Sequence, residues 1–372
     1  MDFLLTYAVP FLVILTIVVF VHELGHYLVA RRNGVKVEVF SIGFGRELVG
    51  WTDRHGTRWK ISLIPLGGYV RMFGDEDAAS TPDTSREFTA EEKAVSFHHK
   101  RLGQRSAIVF AGPIANLVFA ILVFAVMFMT VGQPTTPPVV GLVQANSAAE
   151  RAGLQTGDRI AAINGRAIAR FEEIQQIVRL GDGSTLDLEV ERDGQILRLK
   201  ATPTLTMLKD HFGNEQKMPL LGIGASGAVS QLVRMGPGQA LMESVRQTWV
   251  VIESTFSALG QMIAGRRDSS ELGGPLRIAQ YSGQAAQGGA ANFVYFIAVL
   301  SINLGLINLF PIPMLDGGHL LFYAIEALIG RPLSTRTQEY GFRFGLILVF
   351  ALMVFATWND LIHLKVWDFL KG

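Results

Sequence analysis

Cysteine is absent from the 372 residues. That absence removes disulfides, thiolate metal sites and cysteine nucleophiles together. Any metal site in this chain has to be built from histidine and carboxylate. Charge is also scarce: 17% of residues are Asp, Glu, Lys or Arg, where about a quarter is usual for a soluble protein. The formal net charge of +1 gives no electrostatic basis for binding nucleic acid.

Long apolar runs are what the chain has instead. A helix needs about 20 apolar residues to cross a bilayer, and four segments qualify, roughly 3–31, 106–131, 291–315 and 344–363. The first lacks the basic start of a secretory signal, and no small-residue cleavage site precedes residue 22, so it is expected to be a retained span. Lys and Arg near the span ends set orientation. Arg31, Arg32 and Lys36 follow the first span, Lys100, Arg101 and Arg105 precede the second, and Arg331, Arg336 and Arg343 lie between the last two. The stretch "VGQPTTPPVVGLVQANS" after the second span has neither residue. The 32–105 loop and the loop between the last two spans are therefore expected in the cytoplasm. Both termini and the 132–290 region are expected outside, around an inner (plasma) membrane.

The Pro-rich "GQPTTPP" (132–138) suits a semi-rigid spacer. Beyond it the patterning predicts a strand, a short helix near Ala148–Ala152, a second strand and a helix over Phe171–Leu180. Two alternating strands then meet at Asp193-Gly194, a strong hairpin signal. Residues 237–264 carry Leu241, Val245, Trp249, Ile252, Phe256, Leu259 and Ile263 at three- and four-residue steps. That stripe suits a helix packed on the module or lying on a membrane surface. In the first loop "VKVEVFSIGFG" and "RWKISLIP" alternate around a turn at Asp53–Gly56, which predicts a β-hairpin; the loop's remainder, about 74–100, is polar.

The chemistry begins at His22-Glu23-Leu24-Gly25-His26, an HExxH pattern. One helical turn apart, both imidazoles can reach one zinc ion, with Glu23 beside them to take a proton from water. An ionisable cluster at the end of an apolar run is costly and usually functional. A catalytic zinc needs a third protein ligand and an open position. Glu47, in the hairpin region, is one candidate. A better one lies in "NLGLINLFPIPMLDGGHLL", where Pro311 and Pro313 break the apolar helix and Asp316 follows the break. Broken backbone at that depth is tolerated where it is buried in protein or lines a wet cavity. His319 competes within the same segment. Asn308 suits interhelical hydrogen bonding or contact with site water. Asp360 is expected at the outer interface, and His98 and His99 read as solvated or interfacial.

HELGH in the first span, "PLGGYVRM" after a hairpin, "AGPIAN" opening the second span and "NLFPIPMLDGGH" in the third together resemble the site-2 protease family of zinc intramembrane metalloproteases. The stretch "AERAGLQTGDRIAAINGRAI" closely resembles a PDZ domain of the protease-associated type, and such modules bind an extended peptide at a sheet edge. The resemblance implies Zn2+ held by His22, His26 and Asp316, with Glu23 as general base. It also implies substrate contacts at Asn308 and at Gly43, Gly45, Gly67, Gly68 and Tyr69 of a membrane-associated hairpin. The implied substrates are single-span membrane proteins, such as a pre-trimmed anti-sigma factor or remnant signal peptides. One departure is that this chain has room for one PDZ domain where a bacterial look-alike carries two in tandem.

The expected fold is a polytopic α-helical membrane protein of about four transmembrane helices, with a cytoplasmic-side β-hairpin and one extracytoplasmic PDZ domain. Its expected parts are 1–131 with the first two spans, 139–203 for the PDZ domain, 230–290 for an interfacial helical region and 291–372 with the last two spans. Two rival readings are a non-enzymatic PDZ membrane adaptor and a metal transporter. An adaptor leaves the broken third span unexplained. A transporter favours internal repeats, and none is visible.

Overall fold

The computed structural model describes residues 4–75, 87–209, 215–226, 231–266, 268 and 272–363. The two chain ends, part of the polar loop (76–86) and the start of the 230–290 region lie outside the described residues. The chain divides into two compact units. One comprises Met1–Ala125, Leu241–Ile252 and Leu272–Gly372; the other comprises Val126–Ala240 and Glu253–Glu271.

In the first unit, helix α1 (Val9–Arg32) follows a short π-helical start and has Pro10 in its first turn, where a missing N–H costs nothing. Arg31 and Arg32 lie in its last turn, favourable to the helix dipole, and Asn33 caps it by donating to the Val29 carbonyl at 2.9 Å. Strands β1 (Val37–Thr52) and β2 (Arg58–Met72) follow, then a short helix α2 (Ala90–Val95) and the long helix α3 (Leu102–Thr130). Among the described residues, four helices are long and apolar enough to cross a membrane: Leu5–Arg32, Leu102–Thr130, Ala290–Asn308 and Arg336–Ile362.

The first loop is more folded than a plain hairpin. Val39–Ile42 pairs in the opposite sense with Gly68–Arg71 on one side, and in step with Arg58–Ile61 on the other. Glu47–Thr52 then pairs with Arg58–Ser62. Each long strand therefore bends in two, and the bends fall where sterics allow: Gly43 at φ 87°, Gly45 at φ 84° and Gly67 at φ 141°. A Cβ at Gly43 would lie 2.7 Å from the Ile64 carbonyl oxygen, so close approach as well as backbone angle calls for glycine there. Period-two alternation shows strands but not their refolding, because a bend leaves the alternation on each side intact.

The second unit begins with β3 (Gln133–Thr135) and β4 (Val140–Val143), and continues through α4 (Ala148–Arg151), β5 (Arg159–Ile163), β6 (Arg166–Ala167) and α5 (Phe171–Leu180). Then come β7 (Leu186–Arg192), β8 (Gln195–Ala201), β9 (Thr204–Lys209), β10 (Glu215–Leu220), β11 (Ile223–Ala225) and β12 (Gln231–Val233). One sheet has the order β6-β5-β7-β8, and β11 pairs with β4. Leu186, Leu188 and Val190 alternate inward to meet Ile160, Ile163, Phe171, Ile174 and Val178 in one buried core. The β7–β8 turn uses Asp193 and Gly194 at φ 50° and 76°, both left-handed, as a two-residue hairpin requires.

Helix α6 (Pro237–Ile263) is amphipathic as its spacing predicts, but the buried line is Ala240, Ser244, Thr248 and Val251. The apolar stripe is the exposed side, with Trp249 64% and Ile263 89% accessible. After it, α7 (Pro275–Gln287) leads into α8 (Ala290–Asn308), then α9 (Asp316–Ile329) and α10 (Thr335–His363). The third apolar helix ends at Asn308, seven residues before the expected 315.

Asp360 does not face the interface; it is fully buried. Its carboxylate accepts the backbone N–H groups of Gly274 (2.9 Å), Leu276 and Arg277 (both 3.1 Å) at the start of α7, and it pairs with the Arg277 side chain. Exposed helix-start donors need an acceptor, and here another helix supplies it. His98 and His99 are likewise engaged. His98 pairs with buried Asp75 at 2.9 Å, and His99 hydrogen-bonds Ser96.

Candidate metal centre

His22 and His26 project from one face of α1, and both are buried. The space they enter is made by glycine. Gly25, between them, leaves no room for a Cβ against Ala111 and Ala115 of α3, so the two helices touch there. On α3 itself, a Cβ at Gly112 would overlap His26 Nε2 and come within 2.9 Å of His22 Cε1. Small residues at helix contacts let backbones approach closely; here they also keep space open in front of two imidazoles.

The third member arrives from the broken segment. After α8 the chain turns through residues 309–315, where Pro311 and Pro313 cannot donate to a helix. Met314 takes φ 86° there, a left-handed conformation costly for a long side chain. A Cβ at Gly317 or Gly318 would strike the carbonyls of Leu309, Phe310 and Ile312, so these glycines let α9 begin tight against the turn. Asp316 is thereby held at the first position of α9. Its Oδ2 lies 3.1 Å from His22 Nε2 and 3.5 Å from His26 Nε2, and the two Nε2 atoms are 3.2 Å apart.

Among the described residues, His22, His26 and Asp316 form the group able to hold a metal ion, with ligand atoms all within 4.8 Å of one another. Asp316 Oδ2 is buried against the two imidazole Nε2 atoms, a position that is expensive for a carboxylate unless a cation answers it. Two imidazole nitrogens, one carboxylate oxygen and no thiolate suit zinc with an open position. His26 Nδ1 donates to the Ile108 carbonyl at 2.9 Å, leaving its Nε2 lone pair free. The residues present fit the metal.

A cavity of about 320 Å³ opens on this cluster. Glu23, Asn308, His319, Phe44 and the Gly67-Gly68-Tyr69 turn line it. Glu23 lies against the sheet, where a Cβ on Gly68 would come 3.5 Å from its Cγ. Asn308 Nδ2 lies 3.5 Å from His22 Nε2. Gly43 and Gly45 stand at the bend that carries Phe44, whose ring stacks with Tyr69 at 6.0 Å.

The two alternatives for the third ligand stand outside this group. Glu47 is engaged by Arg58 on the sheet, and His319 packs its ring against Phe342 with centroids 5.2 Å apart. Missed from the sequence was Asn116, fully buried on α3, whose side-chain amide lies 3.3 Å from His22 Nδ1. Its signal was present, an amide following Gly112-Pro113 in apolar sequence, but nothing in the spacing says which face of α3 meets α1.

Comparison with known proteins identifies the family. The model of peptidase family M50 matches residues 10–352. A provisionally named zinc metalloprotease of Agrobacterium fabrum is 48% identical over 363 residues, covering 96% of each chain. Another of Rhizobium meliloti is 46% identical, covering 96% of this chain and 97% of its own. Metalloprotease MmpA of Caulobacter vibrioides is 39% identical, covering 98% and 97%. The chain belongs to peptidase family M50, the site-2 protease family, and is a zinc metalloprotease. Neither the adaptor nor the transporter reading finds support beside that membership.

Proposed function

We propose that this enzyme cuts peptide bonds within the transmembrane segments of single-span membrane proteins, such as a pre-trimmed anti-sigma factor or a remnant signal peptide. The observation that carries the proposal is the position of the cluster. Its three ligand atoms come from an apolar helix and from the broken backbone that follows another, and they face a cavity rather than the protein exterior.

In this reading His22, His26 and Asp316 hold zinc. When bound, zinc supplies Lewis acidity that brings the pKa of water to about 7 and polarises a carbonyl. Glu23 takes the proton as water oxygen bonds to the scissile carbon, and returns it to the amine nitrogen as the carbon–nitrogen bond breaks. Asn308 donates to the oxyanion that develops.

A helical substrate hides its carbonyls in its own hydrogen bonds and must unwind first. The Gly68–Met72 segment pairs on one side with Val37–Ile42, and its other edge offers replacement bonds to an unwound strand. Gly67, Gly68 and Tyr69 on the cavity wall, and the bend at Gly43 and Gly45, serve that pairing.

The β domain around 139–203 acts as an extracytoplasmic PDZ module that takes an extended peptide and restricts cleavage to trimmed substrates. The exposed stripe of α6 rests on lipid. The Lys and Arg pattern supports a cytoplasmic site in an inner membrane.

The test is reconstitution with a single-span model substrate. Glu23→Gln is expected to keep its zinc and lose about 10²–10⁴-fold in cleavage, the usual contribution of a general base. Cleavage at the parental rate by a zinc-loaded Glu23→Gln protein overturns the assignment.

A further inference from the structure

We infer that Asn116 is a positioning residue: its side-chain oxygen accepts the Nδ1–H of His22 and so holds that imidazole with Nε2 free for metal. The inference rests on the reading of His22 as a zinc ligand and adds what makes it one.

The two histidines need the same help. A neutral imidazole carries one proton, and it ligates through Nε2 only when that proton sits on Nδ1. For His26 the question is settled by the Ile108 carbonyl, an acceptor that can serve no other tautomer. His22 Nδ1 faces no carbonyl in the same way; it faces the side-chain amide of Asn116 at 3.3 Å.

As placed, the Asn116 nitrogen points at His22, and Asn116 Oδ1 is buried with no hydrogen-bond partner. A donor at that position would drive the proton onto Nε2, toward Asp316 and His26, in the tautomer that cannot bind metal. The nitrogen and oxygen of a carboxamide have nearly the same shape, and their assignment follows from the surrounding network. Exchanging them brings the orphaned acceptor onto His22 Nδ1–H and leaves Nε2 bare.

The residue is well fixed for such a task. Asn116 is fully buried, its backbone carbonyl accepts from Ser301 Oγ on α8 at 3.0 Å, and Gly305 of α8 is backed by the Asn116 Cβ. One helix, α3, thus orients both imidazoles: His26 through a backbone carbonyl and His22 through a side chain two turns later. Outer partners of metal-bound histidines act in this way.

The experiment compares the full-length protein with N116L, N116D and H22A in detergent. Zinc retained against a graded chelator is measured by elemental mass spectrometry, and melting of the metal-free proteins is followed in parallel. N116L, similar in size with no acceptor, should lose about 10–100-fold in zinc affinity with little change in metal-free melting. N116D accepts but cannot donate, and should hold zinc at or above the parental affinity. Parental affinity in N116L, or a loss in N116D as large as that in N116L, overturns the inference. Should N116L fail to fold, N116D alone decides, because its carboxylate separates acceptor from donor. H22A separates the two levels: if it keeps zinc, the ligand reading itself fails, whereas loss in H22A beside retention in N116L sinks only the role of Asn116.

Discussion

His22 Nε2 and Asp316 Oδ2 stand 3.1 Å apart, although one residue belongs to the first apolar helix and the other follows the third. No local feature of either helix requires this. The Pro311–Pro313 break and Gly317-Gly318 aim the carboxylate. Asp316→Asn keeps the shape and removes the charge. It is expected to lower zinc affinity by about 100-fold or more, at least the upper end of what an outer partner costs. Full zinc occupancy of purified Asp316→Asn under a chelator that leaves the parent loaded would remove this residue from the ligand set.

Gly112 offers a test by addition rather than removal. An alanine there raises helix propensity by about 1 kcal/mol, which favours continued helix at this position. Its methyl, however, falls on His26 Nε2 and close to His22 Cε1. Gly112→Ala is therefore expected to retain helix content by circular dichroism while losing bound zinc and activity together. Unchanged zinc binding would mean that α3 can move away from α1 at this point.

Much of this centre was legible because its chemistry is local. HExxH needs one helical turn, and a proline pair in apolar sequence marks a broken span. The β domain was legible for a similar reason: alternation and Asp193-Gly194 are short-range signals. What stayed hidden depends on which faces meet. Asp360 looked interfacial because it ends an apolar run, yet it caps α7 across the fold. The stripe on α6 was visible, but composition does not distinguish an apolar face turned inward from one turned outward. The refolding of β1 and β2 was hidden because pairing in step leaves no period of its own.

The lack of cysteine makes the expected sidedness easy to examine. A single introduced thiol is the sole target for a membrane-impermeant maleimide. His55→Cys lies in the exposed turn between β1 and β2, and Arg198→Cys on β8 replaces a side chain 85% accessible. In sealed inside-out vesicles His55→Cys should label and Arg198→Cys should not, and intact spheroplasts should reverse the pattern. Labelling of both from one side would break the orientation drawn from Lys and Arg.

The turn at Asp53 carries a pH dependence whose sign can be worked out. Burial opposes its ionisation, but Trp59 Nε1, the backbone N–H groups of Thr57 and His55, and the Tyr27 hydroxyl all donate to the carboxylate. Together they bring its pKa down to about 2. A carboxyl whose folded pKa lies below its unfolded value of about 3.9 adds stability that is complete above that value and is lost as pH falls through the folded one. The contribution should therefore hold from neutral pH down to about 4 and fade between about 4 and 2. Asp53→Asn removes the titrating group. Its melting temperature should lie below the parent's at pH 7, and the gap should narrow through that window. A gap of constant size down to pH 2 would show that the hydrogen bonds to Asp53 do not depend on its charge.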